Sequence, residues 1–357
     1  METSKVLSLL ASSAGARQLA ALIKSGKERH LRADGLNGSS AMMTLAALPL
    51  NGVKCPVVLV VLNDNDDAGY AYHDMVQMMG EDDVLFFPSS YRRAIKYNQK
   101  DAANQILRTE AITRVHSHVA SAKDGARREA SPLFIVTYPD AMAEMVMSES
   151  ELETNTITVH VNDTFDIIQL EKSILSLGFQ RRDYVYEPGQ FAVRGSIVDV
   201  YSFSSDQPYR IDFFGDEVDS IRPFDIQSQL SDGKVNEMTI VPEMTGGKEY
   251  MSFLEFLPAD ALVVADSMVY VCDKVAAIYD EGMSAQAQME AEANGDELMR
   301  QLLIAPELFV RQMTQFRHLE MKRGIDDSEG TVHFHTDPQP TFHKNFNLVS
   351  EECHKYI

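Results

Sequence analysis

Residues Gly35 to Thr44 read GLNGSSAMMT, a glycine-led turn ahead of an apolar helical pattern. A phosphate-binding loop of the form G-x-x-x-x-G-K-[ST] wraps its anion in backbone N–H groups, sets a lysine on the β/γ-phosphates and a hydroxyl on Mg²⁺. Counted from Gly35, with Gly38 inside the turn, the second glycine falls on Ser40, the lysine on Ala41 and the hydroxyl on Met42. Thr44 comes two positions too late for the metal. A Gly/Ser-rich turn before a helix reads equally well as an ordinary connection. A second segment, Ala261 to Asp266 (ALVVAD), has the form of a buried parallel strand ending in an acid. In phosphate-loop enzymes such a strand carries the Asp that supports Mg²⁺. Where a water-organising Glu would come next, this chain has Ser267, Met268 and Val269. Asp266 also suits a turn or a helix cap. With lysine, hydroxyl and glutamate all missing, the reading is a nucleotide site emptied of its chemistry, with no catalytic residue and no resident cofactor or metal.

The elements that would position these residues alternate between helix and strand over the first ~150 residues. Strand patterns lie within Gly52–Leu62, at Val84–Phe87 and at Leu133–Thr137; helical ones lie at Asp66–Met79 and Asp101–Ala120. The N-terminal pattern from Val6 through Leu19, Leu22 and Ile23 reads as one amphipathic helix, too short in its apolar run for a signal peptide. From Ile157 to about Pro242 the period changes to short strands, at Phe191–Val193, Ile197–Tyr201, Tyr209–Phe213 and Val218–Ile221, after a helix at Thr164–Leu177. After Thr245-Gly246-Gly247 the α/β pattern returns, with helices at Met268–Ile278 and within Ala285–Phe316. The predicted fold class is α/β: a parallel-sheet domain interrupted by a small antiparallel insert. The expected boundaries are 1–152, 153–244 and 245–357. The last residues sit in a helical pattern, which suggests a piece of a longer protein.

Composition narrows the function. The net charge of −21 repels a polyanion, so the chain is expected to bind DNA poorly on its own. The basic doublets Arg127-Arg128 and Arg181-Arg182 read as solvated faces. Three isolated cysteines form neither a zinc motif nor a disulfide framework, which fits a reducing cytoplasm. No stretch approaches the ~18 apolar residues of a membrane span. His116 and His118, at i and i+2 on one helix, point to different faces, so no metal site is expected from them.

The insert, FQRRDYVYEPGQFAVRGSIVDVYSFSSDQPYRIDFFGDEVDSIRPFD from Phe179 to Asp225, carries a long pattern: G-x-F-x-x-R-G, a strand, then Y-R-I-D-F-F-G-D-E-V-D-S-I-R. It resembles domain 2 of the UvrB family and, more closely, of the transcription-repair coupling factors. The resemblance implies a degenerate helicase-like domain 1a, the UvrA-binding domain 2 and a domain 1b. It places residues 35–44 and 266–269 where UvrB proteins have a live phosphate loop and an Asp-Glu-Ser-His motif. The segment between Phe87 and Asp101, with Tyr91 and Tyr97, is too short for the aromatic hairpin with which UvrB clamps damaged DNA.

By position the resemblance implies UvrA contacts from Arg181 and Arg194, while a third UvrB arginine position falls on Ala192. Tyr201, Phe203 and Phe214 are candidate apolar neighbours, and Asp216 and Glu217 candidates for basic partner residues. Arginine suits such a surface because its planar fork binds carboxylates bidentately and stacks on aromatics. The same residues have structural readings: Arg194 paired with Asp199, Asp212 or Glu217, and Asp216-Glu217 as a turn. The resemblance also implies that RNA polymerase, DNA, ATP and Mg²⁺ belong to other parts of the parent, a bacterial cytoplasmic translocase, and that another part of that parent masks domain 2. A divergent NTPase using Lys54 and a UvrB-like damage binder are the alternatives.

Overall fold

The computed structural model describes residues 3–90, 101–123, 132–205, 207–242, 249–284, 289, 302–321, 330–338 and 346–354. Tyr91, Tyr97, Arg127-Arg128 and Thr245-Gly246-Gly247 lie outside the described residues, as do most of 285–301 and the side chain of Cys353.

The N-terminal pattern forms two helices, α1 (Thr3–Ala11) and α2 (Ala14–Ser25), bent by 71° rather than one continuous helix. The break is local chemistry: the Ser13 hydroxyl accepts from the Ala16 amide and caps a new helix. β1 (His30–Asp34) leads through the glycine turn into α3 (Ser40–Ala46). β2 (Val57–Val61), α4 (Asn65–Met79), β3 (Val84–Phe87), α5 (Ala102–Lys123) and β4 (Leu133–Thr137) follow. Every residue of β2 and of β4 is buried, as continuous apolar runs in a parallel sheet require. α6 (Pro139–Ala143), β5 (Met145–Met147) and the short helix α7 (Glu149–Thr154) end this part.

The insert opens with β6 (Ile157–His160) and α8 (Ile167–Ser176). The helix begins three residues later than its apolar pattern because Asp166 caps it, accepting from the Ile168 and Gln169 amides. A five-stranded sheet follows in the order β11-β10-β9-β8-β7. Its strands are β7 (Gln180–Arg181), β8 (Gln190–Arg194), β9 (Ile197–Val200), β10 (Tyr209–Phe214) and β11 (Glu217–Pro223). All neighbours are antiparallel except β7, which runs parallel to β8. β12 (Glu237–Ile240) pairs back onto β6. Phe191, Val198, Val200, Ile211 and Phe213 pack with Leu170 and Ile174 of α8 in a core of their own.

The chain then returns. β13 (Tyr250–Ser252) pairs with β5, and β14 (Leu262–Ala265) lies beside β2. α9 (Met268–Gly282), α10 (Pro306–Met313), β15 (Arg317–Glu320), β16 (Thr331–His333) and α11 (Phe346–His354) complete the described elements. The large sheet has seven strands, all parallel, in the order β16-β1-β15-β14-β2-β4-β3. The fold is α/β with a separate small antiparallel sheet, as the change of period indicated. Its central strands β14 and β15 come from beyond the insert, so the large sheet is complete only when both flanking segments meet. Among the described residues no single helix is long and apolar enough to cross a membrane.

Candidate functional site

Two places collect the residues singled out by sequence: the carboxyl ends of the large sheet and the surface of the small one. At the first, Gly38, Ala41, Met42 and Asp266 line a common cleft of about 610 Å³. This is where open parallel sheets bind ligands. The two motifs, more than two hundred residues apart in the chain, therefore share one site.

The glycine turn itself is occupied by the chain. The Asn37 amide donates to the Ser40 hydroxyl at 2.8 Å and to the Thr336 hydroxyl at 2.9 Å. The Thr336 hydroxyl in turn donates to the Gly35 carbonyl at 2.8 Å, and the Phe334 amide to the Asp34 carbonyl at 2.7 Å. Backbone N–H groups of this kind are what cradles phosphate in a working loop; here the strap after β16 takes up the Asn37 amide. The Thr44 hydroxyl bonds the Ser40 carbonyl at 2.7 Å, and Met42 is buried in the core. Asp266 accepts from Asn63 Nδ2 at 3.1 Å, while the helix cap is Ser267, whose hydroxyl accepts from the Tyr270 amide. Among the described residues lining the cleft, Asp67, Asp74 and Asp266 bring three carboxyl groups and no lysine or arginine is present. Lys54 precedes β2 and lies at the opposite end of the sheet. The cleft thus offers a triphosphate negative charge where it needs positive charge.

On the small sheet, strand alternation separates the two arginines. Arg181 is in register with Phe191, on the side covered by α8, and pairs with Glu171 of that helix; it is 54% exposed. Arg194 lies on the other face with Ala192. It pairs with Asp199, which is fully buried, and its guanidinium sits 5.1 Å from the ring centre of Tyr184. Asp199 is shared with Arg210, whose Nε and Nη2 donate to its two oxygens at 2.8 and 2.9 Å. This bonding raises the Arg210 pKa, and the guanidinium stacks 4.7 Å from the Phe224 ring. Arg222 pairs with Asp212 one strand further on. The face is a charge-alternating ladder of three arginines and two aspartates, its order fixed by the register of β8 to β11.

The remaining candidates divide. Phe214 closes the β10–β11 hairpin opposite Glu217 and is 84% exposed, while Gly215, at φ +67°, makes the turn. The side chains of Asp216 and Glu217 are exposed, and the Asp216 carbonyl accepts from the Phe165 amide, so this pair is also the turn. Phe203 is a half-buried wedge beneath Gly189 and meets Phe179 edge-on at 5.6 Å. Tyr201 packs on Val185, Ala192 and Phe224. Ala192 is 1% exposed in that cluster, so an arginine could enter there only by displacing core. Sequence reading missed Tyr184 and Tyr186, both exposed, and Leu230. The signal was present: in Tyr184-Val185-Tyr186 the fully buried valine alternates with two outward tyrosines.

Comparison with known proteins matches residues 157–245 to the UvrB interaction domain. Over 220 residues, 60% of this chain, it is 29% identical to a transcription-repair-coupling factor of Myxococcus xanthus, covering 17% of that protein. The factor of Bacillus subtilis is 26% identical over 58% of the chain and 16% of its own length. That of Escherichia coli is 40% identical over 73 residues, 20% of the chain and 6% of its own length. The matched stretches thus span less than a fifth of the length of these relatives. The buried core of the small sheet and the ladder on its outer face both fall inside the residues that match the UvrB interaction domain, and the chain is similar over about 60% of its length to transcription-repair-coupling factors.

Proposed function

We propose that this chain is a non-catalytic docking module of a bacterial transcription-repair coupling factor and recruits the damage sensor UvrA through its insert. The match of residues 157–245 to the UvrB interaction domain carries this reading. The proposed units are residues 1–152 and 245–357 as a degenerate helicase-like scaffold around an insert at 153–244. Docking falls to Arg194 with Tyr184 on the ladder face, to the exposed Phe214 tip with Asp216 and Glu217, and to Arg181 at the β7 edge. Tyr201 and Phe203 support that surface from beneath. Arginine and tyrosine are the residue types that most often dominate interface energetics. The parent is expected to be an ATP-dependent DNA translocase that meets RNA polymerase and DNA through other regions.

Calorimetric titration with UvrA tests this directly. An Arg181→Ala/Arg194→Ala variant is expected to lose at least about 2 kcal/mol, roughly thirtyfold in affinity. It should keep its fold, because Arg210 still holds Asp199 through two bonds. Full affinity in the variant would move the interface elsewhere; no binding by the unaltered chain would end the reading.

The strap over the glycine turn and the three cleft aspartates favour loss of nucleotide binding. A ligand that binds the native state raises its melting temperature. Mg²⁺-ATP is therefore expected to leave the melting temperature of this chain unchanged; a saturable rise would restore the NTPase alternative.

A further inference from the structure

The i, i+2 spacing of His116 and His118 points their rings to different faces, but the tertiary structure gives His116 other neighbours. Its Nε2 lies 3.1 Å from Glu149 Oε1 and 3.4 Å from Glu153 Oε1. The three potential ligand atoms all lie within 4.8 Å of one another. His116 comes from α5, while Glu149 and Glu153 stand at i and i+4 on α7, which puts both carboxylates on one side of that helix.

We propose that His116, Glu149 and Glu153 form a binding site for a zinc-type divalent transition metal, joining α5 to α7. Tetrahedral zinc with N and O bonds of about 2.0–2.1 Å keeps its ligand atoms roughly 3.3 Å apart. Both distances from His116 are of that size, and the two carboxylate oxygens lie within 4.8 Å of each other. One imidazole and two carboxylates suit zinc or cobalt; calcium and magnesium prefer oxygen ligands alone. With the imidazole neutral, the two carboxylates balance the charge of a dication. All three side chains are partly exposed, at 24%, 52% and 64%, so water reaches the fourth position. α7 is followed directly by β6, the first strand of the insert. A bound ion would therefore fasten the entry to the UvrB interaction domain onto the long helix of the large-sheet domain.

The competing arrangement is a protonated histidine between two carboxylates, which needs no metal. Zn²⁺ calorimetry and Co²⁺ absorption on the 357-residue chain, after alkylation of its cysteines, separate the two. The expected result is one ion per chain, a cobalt d–d band of tetrahedral type and a raised melting temperature. Binding should weaken in acid, because protons compete with the metal for the ligand atoms. His116→Ala, and separately Glu149→Gln/Glu153→Gln, should each weaken binding about tenfold or more, with metal-free melting curves confirming the fold. Absence of both the band and the thermal shift would overturn the proposal. So would affinity unchanged in both variants, which would place the ion elsewhere.

Discussion

Asp199→Ala is expected to destabilise the insert by about 3–5 kcal/mol, the cost of stripping one partner from a buried ion pair. The carboxylate is fully buried and bonded by two guanidiniums. Arg210, only 15% exposed, would keep its charge with one remaining strong contact, the Phe224 ring, and weaker bonds to Gln229 and Ser231. Arg194→Ala should cost no more than about 1 kcal/mol, because a partly exposed arginine is screened and the carboxylate retains Arg210. Chemical denaturation followed through the insert's tyrosines measures both. If the aspartate variant loses under about 1 kcal/mol, the ladder is a surface ornament and not a support. If the insert docks UvrA as proposed, an Asp199 variant should also lose UvrA affinity under conditions where the insert itself is still folded. That result would mark Asp199 as the residue that holds Arg194 in place, without contacting the partner itself.

Gly35→Ala has the second large effect. At φ +80° an L-residue is strained by roughly 1–2 kcal/mol. In addition, a Cβ at this position would collide with the backbone carbonyl oxygen of Phe334, which has no rotamer by which to withdraw. The strap must then leave, taking with it the Phe334–Asp34 bond and the Thr336 bonds to Gly35 and Asn37. A loss of about 2–4 kcal/mol is expected, with faster hydrogen exchange at the Phe334 and Asn37 amides. Gly38→Ala is the control. Its φ of +56° carries the same kind of strain, but its Cβ would meet no atom within 4 Å, so only about 1–2 kcal/mol is expected. Equal losses in the two variants would show that the strap contributes nothing to the turn.

The elements were largely legible because their signals are local. The apolar runs of β2, β3, β4 and β14 and the period of α4, α5 and α9 depend on neighbours a few residues away. So did the switch from buried runs to alternation that separates the insert from the large sheet. β1, β15 and β16 of the large sheet escaped notice, as did the short β5, β6, β7, β12 and β13; β15 and β16, four and three residues long, include His318, Glu320 and His333 and are held by pairing with β1 and, for β15, β14. The break at Ser13 was readable as a cap, yet the surrounding apolar pattern outweighed it.

What the residues determined by themselves was chemical: no lysine after the glycine turn, no glutamate after Asp266, and an insert whose long strand pattern carries the family resemblance. Tertiary structure decided the rest, since it alone sets which distant groups meet. Thr336 reaches Asn37 across 299 residues and fills the turn that a phosphate would need. Strand register puts Arg181 and Arg194 on opposite faces and gives Arg194 a carboxylate shared with Arg210. His116 meets Glu149 and Glu153 only because the tertiary fold brings these side chains of α5 and α7 within bonding distance. Local propensity is written in consecutive residues, but a site forms where strand order and helix packing bring separate segments within bonding distance.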